Sequence, residues 1–491
     1  MATTPEVIIV GGGIAGLATA YELHRLGVSF LLLESASRVG GVILSEQIDG
    51  YTIDAGPEAL LIQKTDAIRL CEELGLGDRL VPTKLPRVAF IQRGGILHAL
   101  PAASVLGIPT RFGPFIRTSL FSWLGKARMG LELFVPARRD DADESIGSFM
   151  TRRFGAEATT FLAEPLLAGI HAGDVDRLSV RALFPRFVEA ERAHGSLLRA
   201  FRRQAARPLP ATGRAGRWME KGLFLSLPGG LSEMIRALVA ALPAASIRLD
   251  SPVARILASP STGRGRDRSD SPPFRLQIAS GETFTARSLV LAAPAYVAGR
   301  LLREVDAELA RLCEGVSYAS SATIALAFPR AAVRHPLEGS GFVVPRGEGT
   351  GILAASWMSS KWPHRAPDGR VLLRAFVGGA RDPNALDQSD AELVSLARTA
   401  LGSLLGISGE PLLTRVYRWE RSSAQHEVGH LARMAAIERG IAGHPGLFVT
   451  GSGFRGTGIP DCIADGRATA GQAAEWLATC ADSLSPPVSR A

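Results

Sequence analysis

The stretch from Glu6 to Glu34 leaves little freedom in how this chain begins to fold. Val7-Ile8-Ile9-Val10 is a continuous apolar run, the pattern of a strand buried on both faces. Gly11, Gly13 and Gly16 follow at G-x-G-x-x-G spacing. Leu17, Ala20, Tyr21, Leu23 and Leu26 then recur at helical spacing and stop at Gly27. Phe30 to Leu33 is a second apolar run, ending in Glu34. Strand, glycine turn, helix, strand and acid in this order predict a dinucleotide-binding unit. Gly11 permits the tight turn, Gly13 lets the backbone approach a pyrophosphate, and Gly16 lets the helix pack close to the strand. The helix N-terminus offers free N–H groups to the phosphates. Glu34 is placed to take the ribose hydroxyls, which favours FAD or NAD over NADP.

The next segment favours a flavin. Arg38-Val39-Gly40-Gly41 is followed by Asp49-Gly50 and by Asp54-Ala55-Gly56-Pro57. An NAD domain has no need of a second glycine pair here, whereas a flavin needs the chain to wrap back over its pyrophosphate and ribityl chain. These runs resemble the FAD-binding amine oxidase superfamily.

The totals narrow the partners. Of 491 residues, 46% are hydrophobic and 21% charged, as in an ordinary globular protein with several domains. The net charge of +8 points to acidic partners: nucleic acid, an anionic membrane or a polyanionic small molecule. The basic stretch 259–273 lacks an aromatic residue to stack on a base, so it is expected to be a disordered hairpin tip and not a nucleic-acid arm. Cys71, Cys313, Cys462 and Cys480 are far apart, which suggests a reducing compartment. The apolar N-terminus is expected to be a strand and not a signal peptide, and no apolar run reaches the ~18 residues of a spanning helix. His426-Glu427-Val428-Gly429-His430 matches the zinc-protease pattern, but Gly429 interrupts the helix that zinc would need and no third ligand is evident; no metal is expected.

Along the chain, the dinucleotide-type pieces are dispersed. We expect an α/β plus α+β protein of three parts. The first is a discontinuous Rossmann-like FAD-binding domain (1–85, 222–298 and 440–480). The second is a substrate domain with a mixed, largely antiparallel sheet (86–100 and 299–439). The third is an inserted helical domain (101–221). Ile247 to Ile256 reads as one strand. Ile108 to Pro136 mixes aromatics with Arg111, Arg117, Lys126 and Arg128, as in an amphipathic helix lining a pocket or lying on an anionic membrane.

Taken together, these motifs resemble the flavin-dependent, oxygen-using porphyrinogen oxidases of haem synthesis over nearly the whole chain. The more selective matches are Glu164-Pro165-Leu166-Leu167-Ala168-Gly169-Ile170-His171-Ala172-Gly173-Asp174 and Ile459-Pro460-Asp461-Cys462, with Leu227-Pro228-Gly229-Gly230-Leu231 beside them. Ile108-Pro109-Thr110 and Lys361-Trp362-Pro363-His364 resemble the bacterial branch, which acts on coproporphyrinogen III; the mitochondrial branch acts on protoporphyrinogen IX. The resemblance implies six-electron oxidation of a porphyrinogen, with three O2 reduced to three H2O2. It puts Gly11, Gly12, Gly13, Ile14, Ala15 and Gly16 on the pyrophosphate, and Glu34 and Ser35 at the adenosine ribose. Arg38, Gly41, Val42, Gly56, Pro57, Glu58 and Ala59 would lie along the flavin, although position 58 is Arg in the mitochondrial type. Val253 would meet the adenine, and Trp419, Thr457, Gly458 and Ile459 the isoalloxazine. Arg87 would hold a substrate propionate, and Phe342 with Val343 or Val344 would clamp the macrocycle. No general base is assigned. The resemblance implies a cytoplasmic protein, with the inner face of the cell membrane and a ferrochelatase as contacts it leaves room for, and oligomeric state open. The rivals are an amine oxidase or a carotenoid-type desaturase on the same fold, and a porphyrin carrier that keeps FAD only for structure.

Overall fold

The computed structural model describes residues 4–101, 104–105, 108–109, 112–206, 222–258 and 274–482; the expected hairpin tip at 259–273 lies outside the described residues. Five strands form a parallel sheet in the order Ile247–Arg248, Phe30–Leu33, Val7–Val10, Ser288–Leu291, Leu447–Val449. Val7 and Ile9 enter one core with Leu17, Leu231 and Met234, while Ile8 and Val10 enter another with Leu276, Leu289 and Leu302. A strand that feeds two cores cannot alternate apolar with polar, hence the unbroken run. On the first face lie helices Ile14–Arg25 and Ile459–Asp482, in close contact: Thr19 Oγ1 donates to the Gly466 carbonyl at 3.0 Å. The second face carries an antiparallel sheet of Val253–Ala258, Phe274–Ile278 and Thr283–Ala286.

Two sequence expectations are corrected. Residues 247–256 are not one strand. Ile247–Arg248 ends, Asp250 turns with a positive φ of 50°, and Pro252 precedes a second strand, Val253–Ala258, in a different sheet. Proline has no N–H for a central ladder, so the break falls there. Helices Ala295–Leu302, Ala307–Glu314 and His430–Ala442, expected for the most part in the substrate unit, pack instead into the second core of the parallel sheet through Leu301, Leu309, Cys313 and Ile437.

The second sheet has seven strands in the order Leu413–Gln425, Ser317–Pro329, Arg370–Gly378, Ala354–Ser356, Gly341–Val343, Ala89–Arg93, Ile96–Ala99. All neighbours are antiparallel except Gly341–Val343 beside Ala89–Arg93. One face is sealed by helix Asp390–Leu405, with Ile324, Leu326, Phe342, Val344, Leu373 and Leu401 in a common core. The other face looks towards the dinucleotide unit at one end and the helical block at the other. At the first end the Thr323 hydroxyl donates to the Ala55 carbonyl at 2.6 Å; at the second Ile91 and Val343 join the helical core.

The helical block holds Ile146–Phe154, Pro185–His194 and Leu197–Ala206 around Phe149, Phe187 and Phe201. Arg153 is fully buried there and is matched by Glu132 and Glu191. The segment Thr159–Leu167 winds as a wide π-type helix with Pro165 inside it, a feature concentrated at functional sites.

Candidate cofactor and substrate site

The first turn of the chain makes a cradle. Helix Ile14–Arg25 starts at Gly13 with no side-chain cap and no acidic residue in its first turn, so its free N–H groups, from Ile14 and Ala15 on, face outward with their partial positive charge uncancelled. A Cβ built on Gly13 would meet nothing within 4 Å, whereas one on Gly16 would lie 2.0 Å from the Gly11 carbonyl oxygen. Gly16 is therefore required for packing, and Gly13 keeps a space open. The second glycine pair closes over this space: Gly40 N–H donates to the Gly12 carbonyl at 2.7 Å, and the Cβ position of Gly41 is 3.4 Å from Gly13 Cα. Arg38 braces the turn by donating to the carbonyl of Gly41 at 2.6 Å. Glu34 accepts from Gly12 N–H at 2.6 Å on one carboxylate oxygen, and from Ala36 N–H at 2.8 Å and the Ser35 hydroxyl at 3.1 Å on the other. Ser251 N–H reaches the Glu34 carbonyl at 2.8 Å, which brings the start of Val253–Ala258 beside the same acid. A cradle with open backbone donors, closed by glycines and ending at a carboxylate, fits the diphosphate and ribose of FAD.

From there the chain leads to the sheet. Gly56 is packed so closely beneath Val42 that a Cβ would stand 2.0 Å from the Val42 carbonyl oxygen, and the same position is 3.6 Å from the Trp419 ring. Trp419 Nε1 donates to the Ala55 carbonyl at 3.0 Å. Val42, Gly56, Pro57 and Trp419, far apart in sequence, thus converge. Thr457 and Gly458 precede the N-terminus of helix Ile459–Asp482; Asp461 in its first turn accepts from Gly458 N–H at 3.3 Å and is held by Lys64 Nζ at 2.6 and 2.7 Å.

Glu58 has a different setting from the one expected. It is 7% exposed and is held between Lys361 and Arg374, while Arg374 also donates to the carbonyls of Asp54 and Gly56. Burial alone would raise its pKa, but Lys361 and then Arg374 outweigh this and bring it down to about 2. Glu58 is thus the anionic core of a bracket that ties the Gly56-Pro57 turn to the sheet. No local sequence signal could have revealed it, because both partners lie some 300 residues away.

Phe342 is also corrected. With Val344 it points into the core against helix Asp390–Leu405 and is 2% exposed. Side chains alternate across a strand, so Val343 takes the opposite face. There the ladder registers Val343 with Ala354, Ala354 with Phe376, Phe376 with Thr323 and Thr323 with Tyr417. Val343, Ala354 and Phe376 are only half-buried. Phe376 was missed in the sequence, although Arg374 and Phe376 share one face of an otherwise apolar strand. Arg87 is exposed at the rim; it donates to Thr83 Oγ1 at 3.1 Å and has no carboxylate partner among the described residues.

His426 and His430 are not on one helix. His430 opens helix His430–Ala442 after Gly429, whose φ is 90°, and the two rings stack 3.8 Å apart. Their Nε2 atoms bond to the carbonyls of Ser452 at 2.9 Å and Phe454 at 3.0 Å, so they brace the loop that leads to Gly456.

A discontinuous dinucleotide unit facing a largely antiparallel sheet, with a cradle shaped for a diphosphate and a glycine turn closed over it, defines a flavin-dependent oxidoreductase. The model of the flavin containing amine oxidoreductase family matches residues 14–474, and the chain belongs to that family. It is 36% identical over 479 residues to the coproporphyrinogen III oxidase of Bacillus subtilis (strain 168), covering 96% of this chain and 98% of that one. The chloroplastic protoporphyrinogen oxidase of Oryza sativa subsp. japonica is 28% identical, with 96% and 88% covered. Among solved structures, a protein from Exiguobacterium sp. 255-15 provisionally assigned as a protoporphyrinogen oxidase superposes with a TM-score of 0.82 at 32% identity, covering 97% of this chain and 99% of that one.

Proposed function

We propose that this flavoenzyme oxidises coproporphyrinogen III to coproporphyrin III in haem synthesis. The observation that carries the reading is the likeness to coproporphyrinogen III oxidases across the full length of both chains. FAD, when bound in the cradle, supplies two-electron oxidation and passes the electrons to O2, so six electrons require three rounds. The chain supplies binding and orientation. The row Val343, Ala354, Phe376 offers a flat apolar wall to the macrocycle. Arg87, exposed and without a carboxylate partner among the described residues, takes a propionate. Lys361, whose ammonium lies 5.6 Å from the Phe224 ring centre, adds positive potential to the same rim. The Glu58 bracket fixes the Gly56-Pro57 turn against which the flavin would lie.

No helix among the described residues is long and apolar enough to cross a membrane. The helical block nonetheless exposes Trp123 (73%), Leu124 (84%) and Phe134 (78%), with Lys126 Nζ 4.3 Å from the Trp123 ring centre. An aromatic and a cation together suit an anionic bilayer surface, and this face is the proposed peripheral contact.

Mixing the air-free, FAD-loaded protein with coproporphyrinogen III should bleach the flavin absorbance faster than protoporphyrinogen IX does. Bleaching by polyamines alone would assign the protein to amine oxidation. A yellow protein that no porphyrinogen bleaches would be a carrier.

A further inference from the structure

One imidazole between the dinucleotide unit and the helical block is left without a task. His171 ends the short helix Ala168–His171 within the Glu164–Asp174 segment. Its backbone is fixed, since its carbonyl accepts from Ser423 Oγ at 2.8 Å and Gln425 Nε2 at 2.9 Å. Its ring stands edge-on to Phe184, centres 6.1 Å apart, and makes no hydrogen bond among the described residues. An imidazole that is half-buried, held by its backbone and unbonded at both nitrogens is kept in a state that can take a proton.

Its charged surroundings come from three elements. Lys64 and Asp461, paired with each other, act on it from the dinucleotide unit, and His426 from the end of strand Leu413–Gln425. Asp461, whose charge His171 senses, stands in the helix turn directly after Thr457-Gly458, the stretch expected at the isoalloxazine. Burial, then Lys64, push its pKa down to about 4, with Asp461 opposing. It is therefore a neutral base throughout the physiological range. Two residues earlier, Gly169 has its Cβ position 3.8 Å from a Val343 methyl, so the same segment also meets the sheet face proposed for the macrocycle.

We propose that His171 accepts the two pyrrole N–H protons released in the course of porphyrinogen oxidation. The inference rests on the function proposed above. In each round a C–H electron pair leaves the substrate with its hydrogen as hydride, taken by FAD. In two of the rounds the N–H bond of a neighbouring pyrrole breaks, its electron pair stays in the ring to complete the new C=N bond, and the proton passes to His171; in the remaining round the proton comes from the fourth meso carbon, whose C–H electron pair completes the conjugated ring. Over three rounds, three hydrides and three protons account for the six electrons and the four C–H and two N–H hydrogens lost. The imidazolium is the stronger acid for its buried setting and gives the proton to water before the next round.

The test uses the full-length FAD-loaded protein and two variants. His171→Phe keeps an aromatic ring against Phe184, so flavin retention and coproporphyrin affinity, read by Soret titration, should stay within about twofold of wild type. Flavin bleaching by coproporphyrinogen III without air should slow by about 10²-fold, the lower end for loss of a positioned base. His171→Gly should be equally slow and should recover rate as free imidazole is added, in proportion to its neutral form. At pH 5 in weak buffer, wild type should take up more protons than His171→Phe on binding coproporphyrin, because a polyanion in the cleft raises the imidazole pKa. Equal bleaching rates, absence of imidazole rescue, or equal proton uptake would each overturn the role of His171 while leaving the oxidase reading intact. A wild-type protein that coproporphyrinogen III does not bleach would overturn both.

Discussion

At the pyrophosphate end of the cleft the chain removes side chains, and at the macrocycle end it adds them. Gly11, Gly12, Gly13, Gly16, Gly40 and Gly41 bring backbone against backbone, and what they leave is a row of N–H groups beside empty space. At the other end Val343, Phe376, Trp419 and the Lys361–Glu58–Arg374 bracket fill one face of a sheet with apolar and charged groups. The first end is made by short-range geometry within some thirty residues. The second needs register between strands hundreds of residues apart. A backbone site of the first kind tolerates change only where space is left, and a side-chain site of the second kind divides into residues that hold the sheet and residues that face the ligand.

The largest expected effect lies among the glycines themselves. Gly16→Val would drive a methyl-bearing carbon into the Gly11 carbonyl, with the Ala292 methyl 3.2 Å from the same position. Overpacking of this kind costs about 3 kcal/mol or more, and the expected outcome is a protein that fails to accumulate in soluble form. Gly13→Val meets nothing within 4 Å. It should fold and melt as wild type does but be purified colourless, because the new side chain occupies the space left for the diphosphate. If both variants melt alike, the division between packing glycine and cradle glycine is wrong.

The same division at the other end sets Phe342 against Phe376. Phe342→Ala empties a position 2% exposed in the core against helix Asp390–Leu405 and should cost about 4 kcal/mol of stability, read by denaturant unfolding. Phe376→Ala removes a half-buried ring on the opposite face. It should cost about 1 kcal/mol of stability while weakening coproporphyrin binding about tenfold. A binding loss confined to Phe342→Ala would reverse the assignment of faces.

This contrast also explains what the sequence could and could not reveal. The Val7–Leu33 unit was legible because strand, turn and helix each carry a local periodicity, and the structure places Val7–Val10 and Phe30–Leu33 where the apolar runs fall. The antiparallel sheet was legible in its apolar strands but not in strand Leu413–Gln425, where Arg415, Arg418 and Glu420 hide the alternation. The face of Phe342 was not legible, since Phe342, Val343 and Val344 are all apolar and a run of three gives no phase. Glu58 could not be read either. Its neighbours Pro57 and Ala59 say nothing of Lys361 and Arg374, and a buried carboxylate is intelligible only with its cations present. Pro252 was visible, yet the run Ile247 to Ile256 was read through it, and proline prevailed.

The bracket makes the next prediction. Glu58 carries a pKa of about 2 against an ordinary 4.5, and a depressed carboxylate contributes stability that is fully present above pH 4.5 and is lost as the pH falls from there towards 2. The contribution is about 3 kcal/mol. Glu58→Gln should abolish that part of the acid dependence, so the gap in stability between wild type and variant should narrow as pH falls from 5 to 3. At neutral pH the variant leaves Lys361 and Arg374 without their shared anion, and domain-seam unfolding should come first, detected as flavin release below the main thermal transition. A gap that is constant with pH would mean that Glu58 acts through shape and not through charge.

The smallest expected effect belongs to Arg87, and it is the one that decides whether the rim discriminates between substrates. The guanidinium is exposed and, among the described residues, is anchored to Thr83, so solvent screens whatever it attracts. Arg87→Ala should leave flavin content and melting unchanged within about 0.5 kcal/mol. It should weaken coproporphyrin binding about three- to tenfold, with the loss shrinking as salt is raised. Coproporphyrin carries four propionates and protoporphyrin two, so a cation at the rim has more chances to be used by the first. The affinity ratio between the two porphyrins should therefore fall in the variant. If Arg87→Ala weakens both equally, the residue serves a propionate that the two ligands share, and discrimination must lie deeper, along the wall of Val343, Ala354 and Phe376.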